Sequence, residues 1–482
     1  MSPEISERSF EEAIECALLR HGPDLPAAAQ AGACAGFASA VRKTPPPYGD
    51  TPPGGYRKRK SEDYDRTLCL LPRDGVDFVL ATQPKEWQRL EQHHGKEAVR
   101  EQFLRRRAAE IERRGALDVL RNGIKDSGCK FRLAWFRPAS GLNEETRRLH
   151  AANLFAVVRQ LHYSTKNEKS LDLVLFLNGL PVFTAELKNP LNGQDVEDAI
   201  RQYQTDRDPR EPLLKYGRCL AHFAVDPDLV YVTTHLAGKK TRFLPFNQGK
   251  YGGAGNPPVP PTRKGYASAY LWEETWSRDS VLDLVRQFIH EVEEEDKKGR
   301  KTGRRFLIFP RYQQLDCVRR LVADARSRGP GQRYLIQHSA GSGKSFTIAW
   351  LAHQLATLHD ATDRRVFDSI VVITDRRVLD RQLQATMRQF EQTLDVLANY
   401  ATYKAYWRLL KKVEDDPRYD RQKAEYLLKS FVELHPHAIN EKVRIMVEHC
   451  AAKAQGEVRK GEEGRMDRAA RGKLSRNGRQ SK

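Results

Sequence analysis

An α/β chain built from two chemical parts is predicted here, and three observations predict it. Two apolar runs, residues 172–177 and 181–187, flank Asn178-Gly179, the strongest short-range signal for a β-hairpin. A further apolar run, 333–337, feeds a Gly-rich turn, HSAGSGKS at 338–345, and then an apolar helix, 346–358. Strand, turn and helix in that order form the phosphate-holding unit of a parallel layer. Between the two parts, short strand candidates at 223–226 and 229–234 follow a helix predicted at 194–204.

The hairpin carries acid where a buried strand should not. Asp172 opens its first run, and Glu186 and Lys188 close the second. Residues two apart on a strand share a face, so Glu186 and Lys188 point the same way. The place of Asp172 depends on register. A plain two-residue turn sets it opposite Ala185, whereas one extra residue sets it opposite Glu186. The second is expected, because charges on an apolar face need a metal to justify their burial. Asp172, Glu186 and the Leu187 carbonyl are hard oxygen ligands suited to Mg²⁺. Beside Lys188 such a centre suits phosphodiester hydrolysis, with the lysine orienting water or offsetting charge. The competing reading is an edge hairpin with a solvated Glu–Lys pair, since the spacing is a loose pattern.

The Gly-rich turn carries the second constellation. Backbone N–H groups around Gly341, Ser342 and Gly343 would cradle phosphates at a helix N-terminus. Lys344 would reach the outer phosphates of ATP, and Ser345 would ligate Mg²⁺. His338 stands where the strict pattern has its first glycine. Upstream, Gln314 opens a helix that would bring it to an adenine edge, and 369–374 reads as a second parallel-type strand.

Composition bounds what surrounds these sites. The 482 residues carry a formal net charge of +19. That excess points to a polyanion, most directly nucleic acid, with ribosomal or membrane-surface association as the alternatives. Seven scattered cysteines, none in a C-x-x-C pair, suggest reduced thiols of a cytoplasmic protein. No apolar run reaches membrane-span length.

Along the chain, residues 1–22 read as an N-terminal helix whose capping pair is Ser9 and Glu12. Glu11 and Glu15 lie one turn apart on it, as a solvated face or as acids lent to the hairpin. Residues 23–55 read as a flexible Ala-, Pro- and Gly-rich insertion. A domain spans 56–290, with short strands at 69–71 and 76–81 and a charged helix at 96–115. Arg105-Arg106-Arg107 reads as solvated helix charge, and Lys130-Phe131-Arg132 as a phosphate-tracking surface. An amphipathic helix at 282–295 runs into a charged linker, 291–303. A partial ATP-binding lobe, 304–410, a helical remnant, 411–450, and a basic disordered tail, 451–482, follow.

These pieces, in this order, resemble the restriction (R) subunit of type I restriction–modification enzymes. The carrying residues are 171–190 with Asp172, Glu186 and Lys188, the Gly255-Asn256-Pro257 turn, FPRYQQLD at 309–316, HSAGSGKS at 338–345 and TDRRVLDRQL at 374–383. The resemblance implies a PD-(D/E)xK nuclease fold for 56–290, joined to a RecA-like P-loop motor of the helicase type. It implies that Asp172, Glu186 and Lys188 form the nuclease triad, that Gln314 reads adenine, and that Mg²⁺ and ATP are cofactors. It implies double-stranded DNA and the methyltransferase (M) and specificity (S) subunits as partners. The family's glutamine–tyrosine helix element maps in part, with Tyr203 present and Ala199 four residues before it.

Two departures shape the expectation. No acidic pair downstream follows a buried strand, as a motor's second Mg²⁺ site requires. The second motor lobe has no counterpart, and 419–449 resembles a segment from beyond its start. A shortened restriction endonuclease subunit is expected, binding ATP and DNA without a complete motor; a non-catalytic remnant that binds DNA or partner subunits is the alternative.

Overall fold

The computed structural model describes residues 7–24, 54–137, 144–250, 253–260, 265–295, 301–339, 341–362, 364–372, 383, 386 and 387. The insertion at 23–55 falls almost wholly outside them, as do the helical remnant and the tail.

Strands among the described residues, numbered in chain order, are β1 (Arg57–Arg59), β2 (Ile124–Asp126), β3 (Cys129–Phe131), β4 (Phe155–His162), β5 (Ser170–Leu177), β6 (Leu180–Leu187), β7 (Ala221–Val225), β8 (Val230–Thr233), β9 (Leu244–Pro245), β10 (His290–Glu295) and β11 (Lys301–Ile308). Seven form one mixed sheet in the order β1-β4-β5-β6-β7-β8-β9. β1 runs parallel to β4 and β6 parallel to β7, while the other neighbours are antiparallel. The helix Glu7–Leu19 packs on β4 and β6, and the helix Val196–Thr205 packs on β6 and β7. Cover of that kind explains why β5 and β6 are near-continuous apolar runs rather than alternating ones.

The hairpin turn is itself buried. Asn178 and Gly179 have φ of +51° and +79°, the left-handed pair of a tight two-residue turn. The Asn178 amide donates to the Leu133 carbonyl and to Asn153 Oδ1, and its own Oδ1 accepts from the Leu154 N–H. Arg107 donates to the Asn178 carbonyl from the helix Val99–Arg114. Of the arginine triplet, Arg105 and Arg106 do pair with helix glutamates, but Arg107 is fully buried. Desolvation, reinforced by Arg218, lowers its pKa to about 9. Phe131 likewise leaves the expected basic surface, because its ring packs edge-on against Phe103 in the core.

Several expected elements form differently. Residues 76–81 lie in the helix Pro72–Thr82, which Pro72 opens at a first-turn position where its missing N–H costs nothing. The helix expected across 282–295 stops at Phe288, and β10 and β11 pair as an antiparallel ribbon where a charged linker was predicted. The run 333–337 is not a strand, and Leu335 is 95% exposed. Residues 369–372 are also outside any strand; 373–374 lie beyond the described residues. A parallel strand is stable only inside a sheet covered on both faces, and the described residues offer these runs no partner strand. The helices Tyr312–Arg328 and Lys344–Ala356 do form, packed on each other. The second is anchored by Trp350, whose indole donates to the Phe288 carbonyl at 2.9 Å.

Candidate active site

The site is built where β5 and β6 end. Near the turn Leu177 pairs with Leu180 and Phe176 with Pro181, but beyond a bulge Leu175 pairs with Phe183 and Leu173 with Ala185. Tight turn and bulge are both present, and the bulge shifts the far register by one residue. Continued one step, that register sets Asp172 opposite Glu186. The Leu187 N–H donates to Asp172 Oδ2 at 2.8 Å, which fixes the Asp172 carboxylate against the end of β6.

Glu186 is 0% exposed. Burial foremost, and then the Asp172 charge, push its pKa well above the usual carboxylate range, while Arg207 pulls the other way. Arg207 Nε donates to Glu186 Oε1 at 2.6 Å, and Arg207 Nη2 donates to the Ser170 carbonyl at 2.7 Å. Glu186 Oε2 is buried with no hydrogen-bond partner. Lys188, 7% exposed, follows one residue beyond the end of β6, its backbone N–H donating to the Val225 carbonyl at 2.9 Å. Asp172 and Glu186 are thus brought together, with Lys188 two residues beyond Glu186 in the chain.

Glu11 and Glu15 belong to this neighbourhood, which corrects the solvated-face reading. Both are buried. Arg159 of β4 bridges them, at 3.1 Å to Glu11 and 3.2 Å to Glu15. Burial and the Asp172 charge raise the pKa of Glu11. Tyr203, by contrast, is part of the core. It shares Thr184 Oγ1 with His222, at 2.7 Å from the Tyr203 hydroxyl and 2.8 Å from His222 Nδ1. Asn256 serves its own turn, accepting from the Gln248 N–H and donating to the Asp228 carbonyl.

Sequence reasoning missed Arg207, which lies just past the helix predicted at 194–204. It also missed Gln160, whose Nε2 donates to Asp172 Oδ1 at 3.3 Å. Neither carries a local signal, since each meets the site only through the fold.

Two facing carboxylates with one orphaned buried oxygen suit a divalent cation, because only counter-charge lets both ionise there. Among the described residues no group of three or more His, Cys, Asp and Glu side chains converges to hold a metal. The ligand set would therefore be Asp172, Glu186 and a backbone carbonyl such as that of Leu187.

The Gly-rich turn lies at the start of its helix as expected. Gly343 caps the helix with φ of +80°, and Lys344 and Ser345 open it. Lys344 Nζ donates to the His338 and Ser339 carbonyls at 3.1 and 2.9 Å, folding over the turn. Gln314 lies in the first turn of its helix, against the Gly-rich turn. Its Oε1 accepts from the Arg311 N–H at 2.8 Å, and its Nε2 donates to the Ser342 and Gly343 carbonyls at 3.1 and 3.0 Å. Its amide is spent on holding the turn to the helix Tyr312–Arg328.

Residues 78–241, which include the whole hairpin, match the family model described as the type I restriction enzyme R protein N terminus. Residues 313–417, which include the Gly-rich turn, match the SWI2/SNF2 ATPase model. Over 245 residues the chain is 28% identical to the type I restriction enzyme HindI endonuclease subunit of Haemophilus influenzae, covering 48% of this chain and 21% of that protein. Over 277 residues it is 26% identical to the putative type I restriction enzyme MjaVIIIP endonuclease subunit of Methanocaldococcus jannaschii, covering 55% of this chain and 23% of that one. The matched part spans under a quarter of these relatives' length.

Proposed function

We propose, for a chain that belongs through residues 78–241 to the R-protein family of type I restriction enzymes, that its hairpin site cuts double-stranded DNA. The mixed sheet is then a PD-(D/E)xK nuclease domain. The observation that carries this reading is the register that sets Asp172 beside Glu186, with Glu186 Oε2 buried and unpartnered.

When bound, Mg²⁺ would polarise the scissile phosphate and lower the pKa of an attacking water. Asp172 and Glu186 would hold the ion, with Asp172 oriented by the Leu187 N–H. Arg207 holds Glu186 Oε1, leaving Oε2 for the ion. Lys188 would orient the water or offset the charge that develops on the phosphate.

ATP is the proposed ligand of the Gly-rich turn, through the backbone N–H groups of Gly341, Ser342 and Gly343, with Lys344 on the phosphates and Ser345 on Mg²⁺. Gln314 would have to leave the turn to read adenine, so its proposed role is to brace the turn. Methyltransferase and specificity subunits are the proposed partners, and the cytoplasm the proposed compartment. Among the described residues no helix is long and apolar enough to cross a membrane.

Incubation of the full chain with supercoiled plasmid and Mg²⁺ tests the nuclease. Nicking is expected, and it is expected to vanish in Lys188→Ala. Plasmid that is bound but never nicked would instead mark a DNA-binding remnant and overturn the catalytic reading.

A further inference from the structure

Gln160 departs from the regular geometry of β4. Its φ is +47°, in the left-handed region that side-chain-bearing residues seldom adopt. The β4–β5 ladder keeps one register on either side, with Arg159 opposite Leu173 and Leu161 opposite Leu171, so Gln160 stands across from Asp172. Ala156 and Val158 before it share one apolar cluster with Leu161 and Tyr163 after it. The two-residue alternation of the strand therefore inverts across Gln160.

The inversion has a consequence for the site. Neighbouring residues of a regular strand point to opposite faces, yet Arg159 and Gln160 both reach Glu11. Arg159 Nη2 pairs with Glu11 Oε2 at 3.1 Å, and Gln160 Nε2 donates to Glu11 Oε1 at 2.8 Å. The same Nε2 donates to Asp172 Oδ1 at 3.3 Å, and Gln160 Oε1 accepts from Ser170 Oγ at 2.8 Å. Each polar atom of the amide is engaged, and the two carboxylates leave its nitrogen no other orientation. Asp172 is thereby held at both oxygens, by Gln160 on Oδ1 and by the Leu187 N–H on Oδ2.

We propose that Gln160 is a positioning residue of the nuclease site: its amide, aimed by the left-handed bend in β4, sets the plane of the Asp172 carboxylate for a divalent cation and ties it to Glu11 of the N-terminal helix. This rests on the reading of Asp172 and Glu186 as the cation-holding pair. A strained residue persists only where its surroundings enforce it, and here they are the ladder on both sides and three hydrogen bonds. Removal of such an outer partner weakens a metal site even though every direct ligand remains.

The test uses the full chain and Mn²⁺, with free ion followed by electron paramagnetic resonance and thermal unfolding followed in parallel. Asp172→Asn defines the binding that belongs to this site. Glycine adopts the left-handed backbone freely, so a residue that only shaped the bend is replaceable by glycine without loss. In Gln160→Gly the Asp172-dependent binding is expected to weaken about tenfold or more. Gln160→Asn tolerates the same backbone but is one methylene short, and serves should the glycine variant unfold. Wild-type affinity in either folded variant overturns the proposal and leaves the cation pair standing. Unchanged Mn²⁺ binding in Asp172→Asn would remove the cation pair, and the role of Gln160 with it.

Discussion

At the scale of single residues, the molecule spends buried polar groups in pairs. Arg207 meets Glu186 at 2.6 Å, Arg159 serves Glu11 and Glu15, and Arg319 meets Asp283 at 2.9 Å. His222, like Arg107, departs from this, since it is buried against Thr184 and Tyr203. Burial, with a smaller push from His235, lowers its pKa from 6.5 to about 3. The unfolded chain therefore takes up a proton as pH falls through 6.5, and the folded chain does not until about pH 3. Stability from this group is full above pH 6.5 and is lost progressively down to about pH 3. His222→Gln keeps a polar partner for Thr184 without the titration. Its acid-unfolding midpoint, read by circular dichroism, should move to lower pH, and an unmoved midpoint would show that other groups govern acid unfolding.

Among elements, the β5–β6 hairpin does two jobs with one irregularity. The left-handed turn at Asn178-Gly179 closes the ribbon, and the bulge downstream moves Asp172 from Ala185 to Glu186. A side chain at Gly179 would be strained by φ of +79°, and its Cβ would lie 2.5 Å from the Leu71 carbonyl oxygen and 2.8 Å from the Gly75 nitrogen. Both neighbours are backbone and cannot turn aside. Gly179→Ala should therefore lower stability by about 1–3 kcal/mol or more, the usual cost of a strained left-handed residue. Urea unfolding reads that loss, and a midpoint equal to wild type would mean that the turn relaxes freely. The hairpin was legible because Asn-Gly between apolar runs is a local signal. The extra residue was expected only because buried charge needs a metal, and that a bulge supplies it was decided by the fold.

For the whole molecule, the net charge of +19 sets how it should meet DNA. Binding that neutralises roughly four phosphates falls about 100-fold between about 50 and 200 mM salt, through counterion release. Fluorescence anisotropy with a labelled duplex should show at least that slope, and salt-independent affinity would remove the polyanion reading. Where free thiols were expected throughout, Cys69, Cys129, Cys219 and Cys317 are free, whereas Cys16 is disulfide-bonded. By itself the sequence determined the α/β class, the hairpin with Asp172, Glu186 and Lys188, and the Gly-rich turn before its helix, because turn residues, apolar runs and spacing act over a few neighbours. Only the tertiary structure decided that Arg207, Gln160 and Glu11 gather at Asp172 and Glu186, that Arg107 is buried, and that 333–337 forms no strand. Those outcomes depend on which distant segments meet, and on whether a strand finds a partner to share its hydrogen bonds.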